Sequence, residues 1–249
     1  MKTLATDLDG TLYLDQNLIP GVETSYKLLL SNKFYIYHTT NNSSQSIEAI
    51  GLKLEKLLQT EIDLSSIITP LVVLQQYLQN KTYSVYVYGS DEIKQFISRF
   101  SNVVNNLEEC DLVILGRLDD PNQDKLEKIA AAIKSGISGA TLNKDLTYPV
   151  SPTEFRPGNG QIAKYIESAA NKTLDSFGKE GNLFAEYFQK KGIKINYVIG
   201  DRVDTDIIFG NNMNAKSILV KSSIKNFMPS SLADQIFDDF NKFVSSVIK

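Results

Sequence analysis

The sequence predicts an α/β fold built on parallel β-sheets, and two patterns indicate this class. Short apolar runs of strand length alternate along the chain with longer segments whose apolar residues recur at helical spacing. The short runs are continuously apolar, which is typical of parallel strands that helices cover on both faces. The expected strands are residues 3–8, 34–39, 66–69, 84–88, 112–115, 197–199 and 217–220.

Helical segments are expected between these strands. Their apolar residues lie three and four positions apart, which places them on one face of an α-helix. The clearest example carries Ile47, Ile50, Leu54, Leu57 and Leu58. The expected helices are residues 22–30, 47–58, 126–133, 162–169 and 183–188.

The composition excludes several classes of protein. In 249 residues, 26 Lys and Arg face 29 Asp and Glu, and this net charge of −3 argues against binding nucleic acid through bulk positive charge. One cysteine, Cys110, and one histidine, His38, exclude an internal disulfide, a cysteine-based zinc site and a multi-histidine metal site. No apolar stretch approaches the roughly 18 to 20 residues that span a bilayer. The first residues lack the apolar segment of a signal peptide, so we expect a cytoplasmic protein without membrane or nucleic-acid partners.

Polar residues collect where three of the predicted strands end. In open α/β sheets, ligands bind beyond the carboxyl ends of the strands. Thr40 and Asn41 follow the second strand, whereas aspartates follow the first strand and the strand at 197–199, namely Asp7, Asp9, Asp201, Asp204 and Asp206. Because Mg²⁺ prefers carboxylate and phosphate oxygens as ligands, these ends outline a magnesium and phosphate site.

Four short motifs refine this prediction. They are DLDGTLY at residues 7–13, TNNSS at 40–44, GK at 178–179 and GDRVDTDI at 200–207. Each has an ordinary structural explanation when taken alone, such as an Asp-Gly turn or a helix N-cap. Taken together and in this order, they resemble the signatures of the haloacid dehalogenase superfamily of phosphohydrolases, in its NagD and 4-nitrophenylphosphatase branch.

The spacing of the motifs predicts an inserted domain. The first two motifs are too close together to contain one, whereas the stretch between Thr40 and Lys179 is long enough. The resemblance implies a Rossmann-like core of residues 1–81 and 171–249 and an inserted α/β cap of the C2 type at residues 82–170. Such a cap is expected to select substrates and to limit the access of water.

The resemblance also implies catalytic and metal-binding roles. Asp7 is the expected nucleophile, which forms an aspartyl-phosphate, and Asp9 the expected acid and base for the leaving group and water. The expected cofactor is Mg²⁺, held by the carboxylates of Asp7 and Asp201 and by the backbone carbonyl of Asp9.

Further motif residues are expected to bind phosphate or to support the metal site. Thr40, Asn41 and Lys179 are implied to bind the phosphoryl group. Asp206 is implied to hold a metal-bound water or to orient Lys179. Glu180 departs from the family pattern, which usually has proline after the motif lysine.

The roles of four other residues stay open at this stage. His38 is expected to be structural, and Asp204, Asn143 and Asp145 have no assigned role. The sequence thus predicts a Mg²⁺-dependent phosphatase for small phosphomonoesters, whose partner is a small phosphorylated metabolite. A phosphotransferase that uses the same intermediate and a non-catalytic sensor of phosphorylated ligands are the alternatives, and a homodimer is left open.

Overall fold

The computed structural model describes residues 2–149, 154–221 and 230–248, which form two compact units. The first unit comprises the described residues up to Thr40, Gln45–Thr69 and the described residues from Phe188 onward. The second comprises Asn41–Ser44 and the described part of Pro70–Tyr187. The domain boundaries predicted from the motif spacing, at residues 82 and 170, stay a prediction.

Strands occur throughout the described chain. They are β1 (Lys2–Thr6), β2 (Tyr13–Leu14), β3 (Asn17–Leu18), β4 (Phe34–Thr39), β5 (Ile67–Ile68), β6 (Ser84–Tyr88), β7 (Asn102–Val104), β8 (Leu112–Leu115), β9 (Ser138–Thr141), β10 (Thr147–Pro149), β11 (Phe155–Pro157), β12 (Asp175–Ser176), β13 (Tyr197–Gly200), β14 (Lys216–Val220) and β15 (Gln235–Phe237).

Helices alternate with most of these strands. They are α1 (Val22–Ser31), α2 (Ile47–Leu58), α3 (Pro70–Leu78), α4 (Asp91–Ser98), α5 (Gln123–Ser135), α6 (Asn159–Ala170), α7 (Asn182–Lys190), α8 (Ile208–Asn212) and α9 (Phe240–Val247). Within the described ranges, none of the helices has both the length and the apolar character that crossing a bilayer requires.

A parallel sheet of six strands lies at the centre of the first unit. Its strand order is β15-β14-β13-β1-β4-β5, so β1 pairs with β13 on one side and with β4 on the other. Alternate residues of a strand face opposite sides of the sheet. Ile36 packs into the core formed with α1, α2 and α9, whereas the next residue, Tyr37, contacts Phe188 at a ring-centroid distance of 5.3 Å. Apolar side chains therefore cover both faces of β4.

A second parallel sheet organises the second unit. Its strand order is β12-β9-β8-β6-β7, and all four residues of β8 are buried. Side chains of α5 and α6 pack into one cluster against this sheet, among them Leu126, Ile129, Ile133, Ile162 and Ile166. The predicted α/β class with parallel sheets is confirmed, and so are the predicted bounds of β4, β6, β8 and α2.

The first strand is shorter than the sequence predicts. The expected strand runs to Leu8, but β1 ends at Thr6 because the next residues fold into a compact turn. The Leu8 carbonyl accepts hydrogen bonds from the N–H groups of the three residues Thr11, Leu12 and Tyr13, at 2.9 to 3.3 Å. Gly10 adopts a φ of +90° in this turn, a conformation that favours glycine.

Candidate active site

Three aspartate carboxylates gather at the carboxyl ends of two adjacent strands in the first unit. Asp7 follows β1 directly, Asp201 follows β13, and Asp206 lies in a π-helical segment, Val203–Ile207. One carboxylate oxygen from each residue lies within 4.8 Å of the other two. Asp7 and Asp206 are buried, and Asp201 is half-buried. Like charges at this separation repel one another, so a cation in their midst would stabilise the cluster.

Two glycines allow these carboxylates to come close to the backbone. A Cβ atom on Gly10 would lie 2.4 Å from Oδ2 of Asp201, and one on Gly200 would lie 2.1 Å from Cγ of Asp206. Any larger residue would therefore displace a carboxylate. The Arg202 N–H also donates a hydrogen bond to Oδ2 of Asp206 at 3.1 Å, which fixes that side chain in its loop.

Asp9 is exposed, unlike Asp7, and has two neighbours that the sequence analysis did not select. Tyr13 lies beside Asp9, with which it forms an isolated β-bridge. Burial of Tyr13 and the charges of Asp9 and Asp7 raise the pKa of its phenol, so Tyr13 is protonated and can act as a donor. Lys53 of α2 places Nζ 3.7 Å from the centroid of the Tyr13 ring. Tyr13 is the last residue of the first motif, which was an available signal, whereas one lysine on a helix gives none.

Two threonines complete this end of the first sheet. Thr40 follows β4, the strand next to β1, and its N–H donates to the Ile68 carbonyl at 3.2 Å. Thr11 is 1% exposed, and within the described chain its Oγ1 has no hydrogen-bond partner. A buried hydroxyl without a partner is costly, so Thr11 is a further residue suited to meet a polar ligand.

Asn41 and Lys179 belong to the second unit, where they contact each other. The Lys179 N–H donates to Oδ1 of Asn41 at 2.8 Å, although 138 positions separate the two residues. The Asn41 side-chain amide donates to Oε2 of Glu180 at 3.0 Å. Lys179 is buried, with 3% of its surface exposed. The structure thus brings together residues of the second and third motifs.

His38 is a structural residue of the first unit, as the sequence analysis favoured. The Ser66 hydroxyl donates to the Asp63 carbonyl at 2.6 Å, so it accepts from Nδ1 of His38, 2.8 Å away. Nε2 then accepts from the Tyr26 hydroxyl at 3.0 Å. Burial lowers the pKa of His38 to about 4, and the imidazole is neutral at pH 7.

Asp204, whose role the sequence left open, lies at the surface. Its two carboxylate oxygens accept hydrogen bonds from Nε and Nη2 of Arg202, at 3.0 and 2.7 Å. This exposed pair sits in the same loop as the buried Asp206. The loop therefore holds one aspartate in the carboxylate cluster and another at the surface.

Two family models match the ranges of the chain that contain the four motifs. One family model, described as haloacid dehalogenase-like hydrolase, matches residues 4–100, and a second, HAD-hydrolase-like, matches residues 177–241. The chain belongs to the haloacid dehalogenase-like hydrolases. This assignment confirms the family expected from the motifs.

Relatives of this hydrolase match it over nearly its whole length. It is 26% identical to an acid sugar phosphatase from Staphylococcus aureus (strain MRSA252), across 100% of this chain and 98% of the relative. A p-nitrophenyl phosphatase from Archaeoglobus fulgidus superposes with a TM-score of 0.84 at 20% identity, covering 98% of both chains. A glycerol phosphate phosphatase from Mycobacterium tuberculosis in complex with magnesium superposes with a TM-score of 0.78 at 23% identity, over 96% of this chain and 74% of that one. The hydrolase therefore has the fold expected from its resemblance to the 4-nitrophenylphosphatase branch.

Proposed function

We propose that the protein is a Mg²⁺-dependent phosphatase that hydrolyses small phosphomonoesters through an aspartyl-phosphate on Asp7. The observation that carries this proposal is the cluster of Asp7, Asp201 and Asp206 at the ends of β1 and β13. The names of the relatives, acid sugar phosphatase and glycerol phosphate phosphatase, support sugar and polyol phosphates as the substrate class.

The donor set of the cluster fits Mg²⁺. The ion binds a few carboxylates and keeps several waters, and oxygen atoms of three aspartates lie within 4.8 Å of one another. Asp7 and Asp201 would hold it through their carboxylates and Asp9 through its backbone carbonyl. Asp206, which we expected to hold a metal-bound water or to orient Lys179, is near enough to be a further ligand. When bound, Mg²⁺ reduces the repulsion between the nucleophile and the phosphoryl oxygens.

The chain's own residues supply the nucleophile and the proton transfers. A carboxylate oxygen of Asp7 attacks phosphorus, and the bond from phosphorus to the leaving oxygen breaks as that oxygen takes a proton from Asp9. Asp9 then removes a proton from water, which attacks phosphorus and releases inorganic phosphate and the free Asp7 carboxylate. The protonated phenol of Tyr13, next to Asp9, is suited to orient the Asp9 carboxyl group for both transfers.

We assign binding of the phosphoryl group to Thr40, Asn41 and Lys179 from their positions in the motifs. Lys179 carries the positive charge that this role needs. Because the Asn41 side chain is bonded to Glu180 and to the Lys179 backbone, we assign its phosphate contact to the backbone N–H.

A phosphate-release screen tests this proposal. We expect the wild-type protein to release phosphate from small phosphomonoesters and from 4-nitrophenyl phosphate with Mg²⁺, and to lose this activity in EDTA. Asp7→Asn should lower kcat at least about 10³-fold, because an amide is a poor nucleophile. Asp15→Asn removes the same charge from an exposed residue nearby and serves as the matched control.

Three results would contradict parts of the proposal. More than a tenth of wild-type activity in Asp7→Asn would exclude Asp7 as the nucleophile. Full activity in chelator would exclude the metal. A new phosphoester formed in place of free phosphate, when an acceptor alcohol is added, would identify a phosphotransferase.

A further inference from the structure

We propose that Glu180 is a positioning residue that holds Asn41 and the Lys179 backbone in their phosphate-binding arrangement, an inference that rests on the proposed function for its effect on phosphate. Glu180 stands where the family usually has proline. In this chain its carboxylate forms hydrogen bonds to three separate segments of the second unit, at Asn41, Lys144 and Ser176.

Three donors converge on the two oxygens of Glu180. Oε1 accepts from the Lys144 N–H at 2.7 Å and from the Ser176 hydroxyl at 2.5 Å. Oε2 accepts from the Asn41 side-chain amide at 3.0 Å. A carboxylate can accept at both of its ends, whereas an amide of the same shape must present N–H groups at one end. The site is therefore built for a carboxylate.

The Asn41 side chain connects Glu180 to the Lys179 backbone through two hydrogen bonds. With its amide nitrogen held by Glu180, the Asn41 side chain turns Oδ1 toward the Lys179 N–H, 2.8 Å away. Asn143 also holds Asn41 in place, because its side-chain Nδ2 donates a hydrogen bond to the Asn41 backbone carbonyl at 2.9 Å. Without the Glu180 carboxylate the amide of Asn41 can rotate, and the Lys179 N–H then loses its acceptor.

The loop that carries Lys179 wraps around the Glu180 side chain. A Cβ atom on Gly178 would lie 2.6 and 2.7 Å from the two Glu180 oxygens, so the absence of a side chain at Gly178 makes room for them. The Gly178 N–H donates to Oγ of Ser176 at 3.1 Å, and the same hydroxyl donates to Glu180. The Gly181 N–H closes the turn on the Gly178 carbonyl at 2.9 Å.

This arrangement explains how the chain does without proline. A proline ring stiffens a turn by fixing φ and supplies no hydrogen-bond acceptor in its side chain. Glu180 restrains the same turn through hydrogen bonds that link it to Asn41 and to Lys144.

The test is Glu180→Gln, which keeps the size of the side chain and replaces one acceptor by a donor. The NH2 group of the glutamine would face another donor, either the Asn41 amide or the Lys144 N–H, and the hydrogen bond to that residue would be lost. We therefore expect hydrogen exchange of the Lys179 amide to rise about tenfold in the substrate-free protein. KM and the inhibition constant of inorganic phosphate should rise together, also about tenfold, while kcat changes less than about twofold. Ser176→Ala should also raise the exchange rate of the Lys179 amide, KM and the inhibition constant of phosphate, each by a smaller factor.

Glu127→Gln is the matched control. Glu127 lies exposed on α5 in the same unit and accepts a hydrogen bond from the Gln123 side chain. This variant removes the same charge, and we expect exchange at Lys179, KM and phosphate inhibition to stay at their wild-type values.

Each contrary outcome has a separate meaning. Unchanged hydrogen exchange at the Lys179 amide in a folded Glu180→Gln protein would overturn the positioning role. If Glu180→Gln does not fold, the same measurement on Ser176→Ala decides the question. Faster exchange with unchanged KM and phosphate inhibition would overturn the link to phosphate binding, as would a lower maximal rate at constant KM. If the wild-type protein neither hydrolyses phosphoesters nor binds phosphate, the proposed function fails, and exchange at Lys179 still decides whether Glu180 positions the loop.

Discussion

Asp7 and Asp9 are two positions apart but have different surroundings. Asp7 is buried in the carboxylate cluster, whereas Asp9 is exposed and lies beside Tyr13. An exposed carboxyl group can exchange its proton with solvent between the two steps of hydrolysis, which suits an acid and base. A carboxylate beside a cation stays ionised, which suits a nucleophile.

This difference predicts how Asp9→Asn depends on the leaving group. Sugar alcohols are poor leaving groups that need a proton, so we expect a loss of about 10² to 10⁴ in kcat for sugar phosphates. 4-Nitrophenolate leaves without a proton, and the loss in its rate of release in the first turnover should be much smaller. Tyr13→Phe removes the hydroxyl group that is suited to orient Asp9 and should show the same pattern more weakly. Equal losses for both leaving groups in a first-turnover measurement would contradict the role of Asp9.

His38 predicts a pH dependence of stability that is independent of catalysis. Its pKa falls from about 6.5 in the unfolded chain to about 4 in the folded protein, so the unfolded state binds more protons between these values. The contribution of the neutral imidazole is therefore complete above pH 6.5 and is lost as the pH falls toward 4. This loss amounts to about 3 kcal/mol in the free energy of unfolding.

A comparison with His38→Gln isolates this effect. Glutamine can donate and accept hydrogen bonds but does not titrate in this range. Urea unfolding at several pH values should show that the wild-type protein loses more stability than the variant between pH 6.5 and pH 4. Two parallel profiles would contradict the assignment of a buried neutral histidine.

At the scale of elements, the turns after β1 and β13 place the cluster. Gly10 lies in the first turn, where its φ is +90° and a Cβ would lie 2.4 Å from Asp201. Gly192 also has a positive φ, of +66°, but a Cβ there would have no atom within 4 Å. Comparing the two glycines therefore separates the effect of backbone strain from the effect of a clash with Asp201, a proposed metal ligand.

Gly10→Ala and Gly192→Ala make this comparison. Each should lower the free energy of unfolding by about 1 to 2 kcal/mol, because alanine resists a positive φ. Only Gly10→Ala should also raise the Mg²⁺ concentration needed for half-maximal activity, since it displaces Asp201. A wild-type Mg²⁺ requirement in folded Gly10→Ala would show that Asp201 is not a ligand.

The turn after β13 places the Asp206 carboxylate near those of Asp7 and Asp201. The N–H groups of Asp206 and Ile207 both donate to the Arg202 carbonyl, at 3.0 and 3.3 Å, and the backbone forms a π-helical turn. This wider turn brings the Asp206 carboxylate among the candidate ligands. Sequence spacing cannot distinguish a π-helical turn from an α-helical one, so the spacing alone could not predict this position of the Asp206 carboxylate.

At the scale of the whole molecule, the sequence predicts the strands that are rich in apolar and aromatic residues. The strands β4, β6 and β8 have this composition and were predicted with their exact bounds. By contrast, β9 was missed, because its sequence Ser-Gly-Ala-Thr has little apolar character and it is a strand through its pairing with β8. Propensity is a weak guide where tertiary pairing decides the structure.

The candidate site divides in the same way. The aspartates of the motifs could be predicted because they directly follow strands, and strand ends meet at one edge of a sheet. The hydrogen bonds that join Asn41 to Lys179 and Glu180 span 138 and 139 positions, and no local pattern records them. Lys53 was likewise missed, because its contact with Tyr13 depends on how α2 packs.

The proposed mechanism requires an aspartyl-phosphate on Asp7, and chemical trapping of this intermediate tests it most directly. Wild-type protein and Asp9→Asn are mixed with excess 4-nitrophenyl phosphate, whose leaving group needs no proton, and with Mg²⁺. They are then quenched rapidly and reduced with borohydride, which converts an aspartyl-phosphate into homoserine. Mass spectrometry should then find homoserine at position 7 in both proteins, with more in Asp9→Asn because its water lacks a base. Release of phosphate by the wild-type protein with unmodified Asp7 in both samples would contradict the account.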